Sequence, residues 1–333
     1  MSYTVGGLIE ASDYNTFVGS TSSGLNRVWS TGSGDYGYGQ STIGTVSAAA
    51  TVTATNWASL VNSLAAAASH NGTTITSRTA PVTADLITIL SNVSTDITNI
   101  TTNRGNAAAS GTAISSWTGS VSKTTATGSG QAAWTITFTQ TVTFGSAAAA
   151  RYFFNAGGII KLQYGKTSTG TDHDPDWNAL AGQTGSINFT GRVAGGTNTI
   201  AGQAYTGTTR LGGTGGTQTT LATTTGFYNL TPGGAATTLF QLNSTTAPYT
   251  GEYIRTTVAL NAGSTVLTFV TTWVDDGSSG AGVSSNISGG TETTSPSTTI
   301  TGTAPTTLVT VVPPSTTYLS NSWGTPAIAS SVA

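Results

Sequence analysis

Apolar positions recur along this chain with two different periods, and the change falls near residue 128. Before it the spacing is helical. Trp57, Leu60, Val61 and Leu64 share one face of a segment from about Asn56 to His70, and Asn71-Gly72 supplies its stop, because glycine takes the left-handed backbone that ends a helix. A shorter helix runs through Phe17 from Ser12 or Asp13, whose small polar side chains accept a bond from an orphan amide. From about Ala84 to Asn103, after Pro81, the residues Leu86, Leu90, Val93, Ile97 and Ile100 step by four, three, four and three. Such a stripe suits either of two partners: the preceding helix of the same chain, or the same helix in other chains. The β-branched residues toward its end favour three or more strands in the second case, so a homotrimer is the oligomer to expect.

Beyond residue 128 the period becomes two. In "WTITFTQTVTF", Trp134, Ile136, Phe138, Val142 and Phe144 alternate with five threonines, which predicts an antiparallel strand with one buried face and one polar face. Similar segments recur at Gly158 to Tyr164, Gly185 to Thr190, Ala236 to Leu242, Tyr253 to Leu260, Thr265 to Val274 and Thr307 to Val312, with Gly, Pro, Asn or Asp between them. The pattern predicts an α+β, mainly β, chain: a short N-terminal helical and loop region followed by an antiparallel β-sandwich or jelly-roll-like body. Residues 1–110 form the helical attachment and oligomerisation region, 111–292 the sandwich body, and 293–333 a C-terminal strand or extension.

Composition narrows the partners. Charged residues make up 7% of the 333, against roughly 25% in an ordinary soluble domain, and the formal net charge is -2. Without a basic cluster there is no counterion-release term to drive nucleic-acid binding. No apolar run approaches the roughly 20 residues of a membrane-spanning helix, so no membrane insertion is expected. The absence of cysteine excludes disulfides and thiolate metal sites. The first residues, MSYTVGGLIEASD, show no secretory signal.

Candidate chemistry is sparse. "GDYGYGQS", residues 34–41, mounts Tyr36 and Tyr38 two apart with glycines between them, so that both rings leave one side of an extended segment and another surface can approach. With Trp29 these rings are the candidate protein interface, since such amphipathic aromatics are enriched where chains meet. "TDHDPDWN" sets Asp172, Asp174 and Asp176 in alternation, a weak candidate for calcium. An EF-hand would need glycine and glutamate where Trp177 and Gln183 stand, and a helix cap followed by Pro175 accounts better for the segment. "LGGTGGTQ" lacks the Lys-Ser/Thr of a phosphate loop and reads as a hairpin or loop. The only histidines are His70 and His173. Neither they nor Glu252, Asp275 and Asp276 form an acid-base constellation visible in the sequence, so no enzyme and no cofactor are expected.

Several segments taken in order carry a resemblance: "IEASDYNTFVGS", "VWSTGSGDYGYGQS", "VTATNWASLVNSLAAAASHNG", "FTQTVTFGSAAAARYFFNAGGIIKL", "DPDWNAL" and "APYTGEYIRTTVALN". Together they resemble virion structural proteins of tailed phages, above all of cyanophages with contractile tails, many of them labelled tail-fibre-like. The resemblance runs to about Asp276, with a looser echo in "PPSTTYLSNSWGTP". It implies a virion component on the tail, as a fibre or baseplate part, assembled in the host cytoplasm with other tail proteins as partners. A receptor-binding adhesin that contacts host surface glycan, and a capsid decoration protein, are the alternatives.

Overall fold

The computed structural model describes residues 10–19, 23–83, 92–113, 115–116, 134–166, 173–191, 196–246, 249–275 and 305–333. Its helices are α1 (Ala11–Val18), α2 (Asn26–Trp29), α3 (Ala54–Asn71), α4 (Val93–Thr102), α5 (Ala147–Asn155) and α6 (His173–Thr184). The strands are β1 (Ser115–Ser116), β2 (Trp134–Thr143), β3 (Ile159–Gly165), β4 (Ser186–Phe189), β5 (Asn198–Ile200), β6 (Gln203–Tyr205), β7 (Thr208–Leu211) and β8 (Thr217–Leu221), then β9 (Thr237–Asn243), β10 (Tyr253–Leu260), β11 (Val266–Asp275), β12 (Thr306–Val312) and β13 (Ala327–Val332). The chain is α+β and mainly β.

Two antiparallel sheets hold the core. One has the order β1-β12-β3-β4-β7, the other β13-β2-β11-β10-β9-β8, and β5 and β6 form a separate hairpin. Period-two alternation explains how the large sheets pack. Ile160, Leu162, Tyr164, Ile187 and Val309 of the first meet Ile136, Phe138, Leu242, Ile254, Phe269 and Trp273 of the second in one buried cluster. Polar atoms caught between the layers bond across them: the Tyr164 hydroxyl lies 2.7 Å from Thr256 Oγ1, and Trp273 Nε1 donates to Thr307 Oγ1 at 3.4 Å. The threonines of β2 alternate with these inward residues and line the outer face.

Aromatic plugs close both ends of the sandwich. At one end α5 brings Phe153 and Phe154 against Phe144, and Phe154 also meets Phe189 and stacks on Phe227 with centroids 4.6 Å apart. This helix is absent from the pattern reading. Ser146 starts it by accepting a bond from Ala149 N at 3.0 Å, and the alanine run that follows favours helix. At the other end α6 sets Trp177 on Trp273, with centroids 5.7 Å apart.

The helical layer follows the sequence reading for α1 and α3. The Thr53 side chain and Asn56 form a reciprocal cap at the start of α3, and Gly72 ends it with φ 71°. The expected oligomer seam is corrected. Val93, Ile97 and Ile100 are buried in the same core as Trp57, Leu60 and Leu64, α4 contacts α1 and α3, and Asn71 Nδ2 donates to Ile100 O. These positions are covered within one chain and do not line a trimer axis; Leu86 and Leu90 lie outside the described residues. The stripe marked a buried face correctly, but a period records that a face is covered and not by which chain.

Of the C-terminal stretch, expected as a strand or extension, the described residues 305–333 join the body through strands. β12 pairs with β3 and β1 inside the first sheet, β13 pairs with β2, and Leu319 and Trp323 are core residues. "LGGTGGTQ" is the passage from β7 in one sheet to β8 in the other. Gly212, Gly213, Gly215 and Gly216 all have positive φ there, and a Cβ on Gly213 would strike the Gln183 carbonyl.

Candidate interaction region

Several distant segments meet at the aromatic-glycine loop. After α2 the chain turns back on itself: Tyr38 N donates to Val28 O at 2.7 Å, Gly39 N to Ser30 O at 2.8 Å and Gln40 N to Trp29 O at 3.0 Å. Asn26 clamps the return by bonding both Ile43 O and Ile43 N at 2.9 Å. The glycines serve this fold-back. Gly37 has φ 95° and Gly39 φ 73°; a Cβ on the first would collide with the Thr31 carbonyl, and one on the second with the Tyr152 ring. The surface they admit belongs to the same chain.

Asn155, at the end of α5, is the hub. Its Nδ2 donates to Tyr36 O at 3.0 Å, Gly37 O at 2.9 Å and Gly34 O at 3.4 Å, while its Oδ1 accepts from the Tyr228 hydroxyl at 2.5 Å. Arg151, one turn earlier, bonds Thr31 O, Gly34 O and Tyr36 O at 3.1 Å each. On the other flank, Gln40 bonds Ser320 through both ends of its amide, and Ser322 Oγ donates to Tyr38 O at 2.7 Å. The loop is therefore stapled by α5 on one side and by the C-terminal segment on the other. Replacing Asn155 with Ala strands the buried Gly37 carbonyl, since Arg151 still bonds Gly34 O and Tyr36 O, and takes from the Tyr228 hydroxyl its short-range acceptor; the expected cost is about 1–3 kcal/mol. Urea denaturation measures that cost, and protease cleavage within 31–41 should rise with it.

The three expected interface aromatics meet different fates. Tyr38 is fully buried in its own chain: its ring packs edge-on against His70 with centroids 5.1 Å apart, and its hydroxyl donates to Arg104 O at 3.0 Å. Burial raises its pKa. It offers nothing to a partner, which corrects the reading of two rings leaving one side, because the backbone between them is folded and not extended. Tyr36 is half-buried under two guanidinium groups, Arg27 at 3.6 Å and Arg104 at 4.0 Å from the ring centroid. At such distances two planar cations cannot share one face, so both faces are taken. Asp35 balances the pair through a 2.6 Å bridge to Arg104. Trp29 is half-buried and donates from Nε1 to Ser41 O at 3.0 Å.

His70 lies beneath this region. Nε2 is 3.0 Å from Ala156 O, a group that only accepts, so Nε2 carries the proton. Burial lowers the pKa to about 4, against a smaller opposing effect of that hydrogen bond.

Of the acidic candidates, few have described side chains. Asp172 and Asp276 lie outside the described residues, as do the side chains of Asp174 and His173. Asp176 is buried and accepts from Ser244 Oγ at 3.1 Å. Among the described residues no three His, Cys, Asp or Glu side chains gather as a metal site. The residues that sequence reasoning missed are Asn155, Arg104, Arg151, Tyr228 and Tyr318. Tyr318 is 47% exposed and is, with Val82, one of the large apolar side chains left open among the described residues. Nothing in the local pattern distinguishes any of them. Comparisons of the chain with family models, curated proteins and solved structures found no match.

Proposed function

We propose that the chain is a structural component of a tailed-phage virion, mounted on the tail as a fibre or baseplate-associated part that serves assembly and attachment. One observation carries this reading. The segments by which the sequence resembles virion proteins are, in the fold, one another's contacts: "GDYGYGQS" is held by Asn155 of "RYFFNAGG" and by Ser320 and Ser322 of "YLSNSWGTP", and His70 of "SHNG" meets Ala156. Residues held for mutual packing serve a scaffold. The same arrangement favours a non-enzymatic role, since a histidine whose pKa is held near 4 is a weak base at neutral pH. No helix among the described residues is long and apolar enough to cross a membrane.

The adhesin reading has one observation in its favour: Tyr318 offers an open ring next to the docked C-terminal segment, and an uncovered aromatic can stack on a sugar. Immunogold labelling of virions with an antibody against this chain separates the readings. Label along the tail or at its base is the expected result. Label over the head would favour capsid decoration, and virions that carry no label would defeat the proposal. Loss of host adsorption by Tyr318→Ser virions whose tails assemble normally would favour the adhesin.

A further inference from the structure

We propose that β13 is a docking edge for a second copy of this chain, paired antiparallel about a two-fold axis that passes through Ser330. An open strand edge is a row of unpaired N–H and C=O groups, and proteins usually blunt it. The other margins of the two sheets are blunted. β1 has two residues. β7 and β8 are joined by the 212–216 passage, and the pairing of β8 with β9 shifts register between Gln218 and Thr220. β13 carries no such device among the described residues: it pairs with β2 in unbroken register from Ala327 to Val332, without a charge, a proline or a bulge.

The side chains of β13 are unfinished at this margin. Ile328 and Val332 point to the core but are only partly covered, and Ser330 Oγ is buried with no hydrogen-bond partner among the described residues. The backbone phase is also set. Ala333 and Thr137 exchange two bonds of 2.9 Å, so alternate residues from Ala333 turn their polar groups toward β2. Ile328, Ser330 and Val332 consequently turn theirs outward.

A second copy satisfies all of this in one register. With Ser330 opposite its own equivalent, Ile328 faces Val332 of the copy and Val332 faces Ile328. Each of those three pairs joins outward-turned residues and exchanges two backbone bonds. The apolar ends cover one another on the core side. The orphaned hydroxyl meets an identical one at cross-strand distance, a pairing that stabilises sheets. Ala329 and Ser331 face each other on the outer side. A slip of one residue would turn the apolar side chains to the wrong face. The apolar-polar-apolar order Ile328, Ser330, Val332, which reads the same in polarity from either end and carries no side-chain charge, is what selects a copy of the same strand over a foreign one. This inference does not depend on where in a particle the chain belongs. It also replaces the three-fold seam, whose described positions are covered within the chain.

Light scattering on the purified chain at micromolar concentration should give twice the monomer mass. Ser330→Pro should restore the monomer mass, because it removes an outward N–H that the chain itself does not use, and edge strands tolerate proline there. Its circular dichroism should match the wild type. The Ala329→Cys/Ser331→Cys variant tests the register without disturbing the core: the chain has no other cysteine, and these positions form a closely spaced cross-strand pair within disulfide reach. Mild oxidation should yield a covalent dimer on a non-reducing gel. A wild-type monomer, a folded Ser330→Pro variant that stays paired, or a cysteine variant that oxidises only within random aggregates would each overturn the proposal.

Discussion

Phe154→Ala is expected to destabilise the chain by about 4 kcal/mol, a large part of the roughly 5–15 kcal/mol that holds a typical domain together. Phe154 is buried, stacks on Phe227 and lies edge-on to Phe189 and Phe153 with centroids 5.9 and 5.1 Å away. Truncation loses the transfer energy of a whole ring and leaves a cavity whose walls belong to α5, β4 and the short helical turn Phe227–Asn229. Those elements are fixed by the backbone bonds Phe227 N to Thr190 O and Tyr228 N to Gly191 O, so they cannot collapse into the gap. Phe154→Leu keeps most of the volume and should cost under about 1.5 kcal/mol. Urea midpoints at unchanged slope measure both. A cost below about 1 kcal/mol for the alanine variant would mean that the α5 end does not unfold with the sandwich.

Acid should weaken the fold through His70 by about 3 kcal/mol in all. The unfolded chain protonates this imidazole near pH 6.5, whereas the folded chain resists until about pH 4. Between those values the unfolded state holds more protons, so stability is full above pH 6.5, falls as the pH drops, and levels off below 4. The loss is steep because the ring lies under Tyr38 and against Ala156, where the only nearby compensation is a carbonyl that already accepts from the neutral ring. His70→Gln keeps a donor for that carbonyl and does not titrate. Denaturation midpoints at pH 7 and pH 4.5 should diverge in the wild type and draw together in the variant; equal slopes in both proteins would show that other groups govern the acid response.

Local pattern reached far into this fold wherever a face is defined by alternation. Tyr253–Leu260 is a strand over the residues that alternation marks, β2 and β11 agree to within a residue at each end, and α3 ends on the glycine that the sequence offers as its stop. In each, the spacing of apolar side chains along a few turns or pleats already states which side is buried. Helix α5 escaped because an alanine run followed by two adjacent phenylalanines has no clear period; the end of the sandwich gives its rings a place.

The sequence by itself therefore determined the class of the chain, the strands β2, β3, β4, β9, β10, β11 and β12 of its body, and the inward face of α4, but not β7 or β8 at the sheet margins. Only the tertiary structure decided what covers those faces. The spacing of Val93, Ile97 and Ile100 suits a helix of the same chain as well as one of another chain, and it is α1 and α3 that close over them. Tyr36 and Tyr38 looked like a flexible contact loop, yet Asn155 reaches them from more than a hundred residues away, and Gln40 is held by Ser320 from 280 residues away. Periodicity is a property of neighbours along the chain, and it survives in the sequence because backbone geometry imposes it locally. Which surfaces meet depends on the summed burial of many distant groups, a quantity that no short window of residues contains.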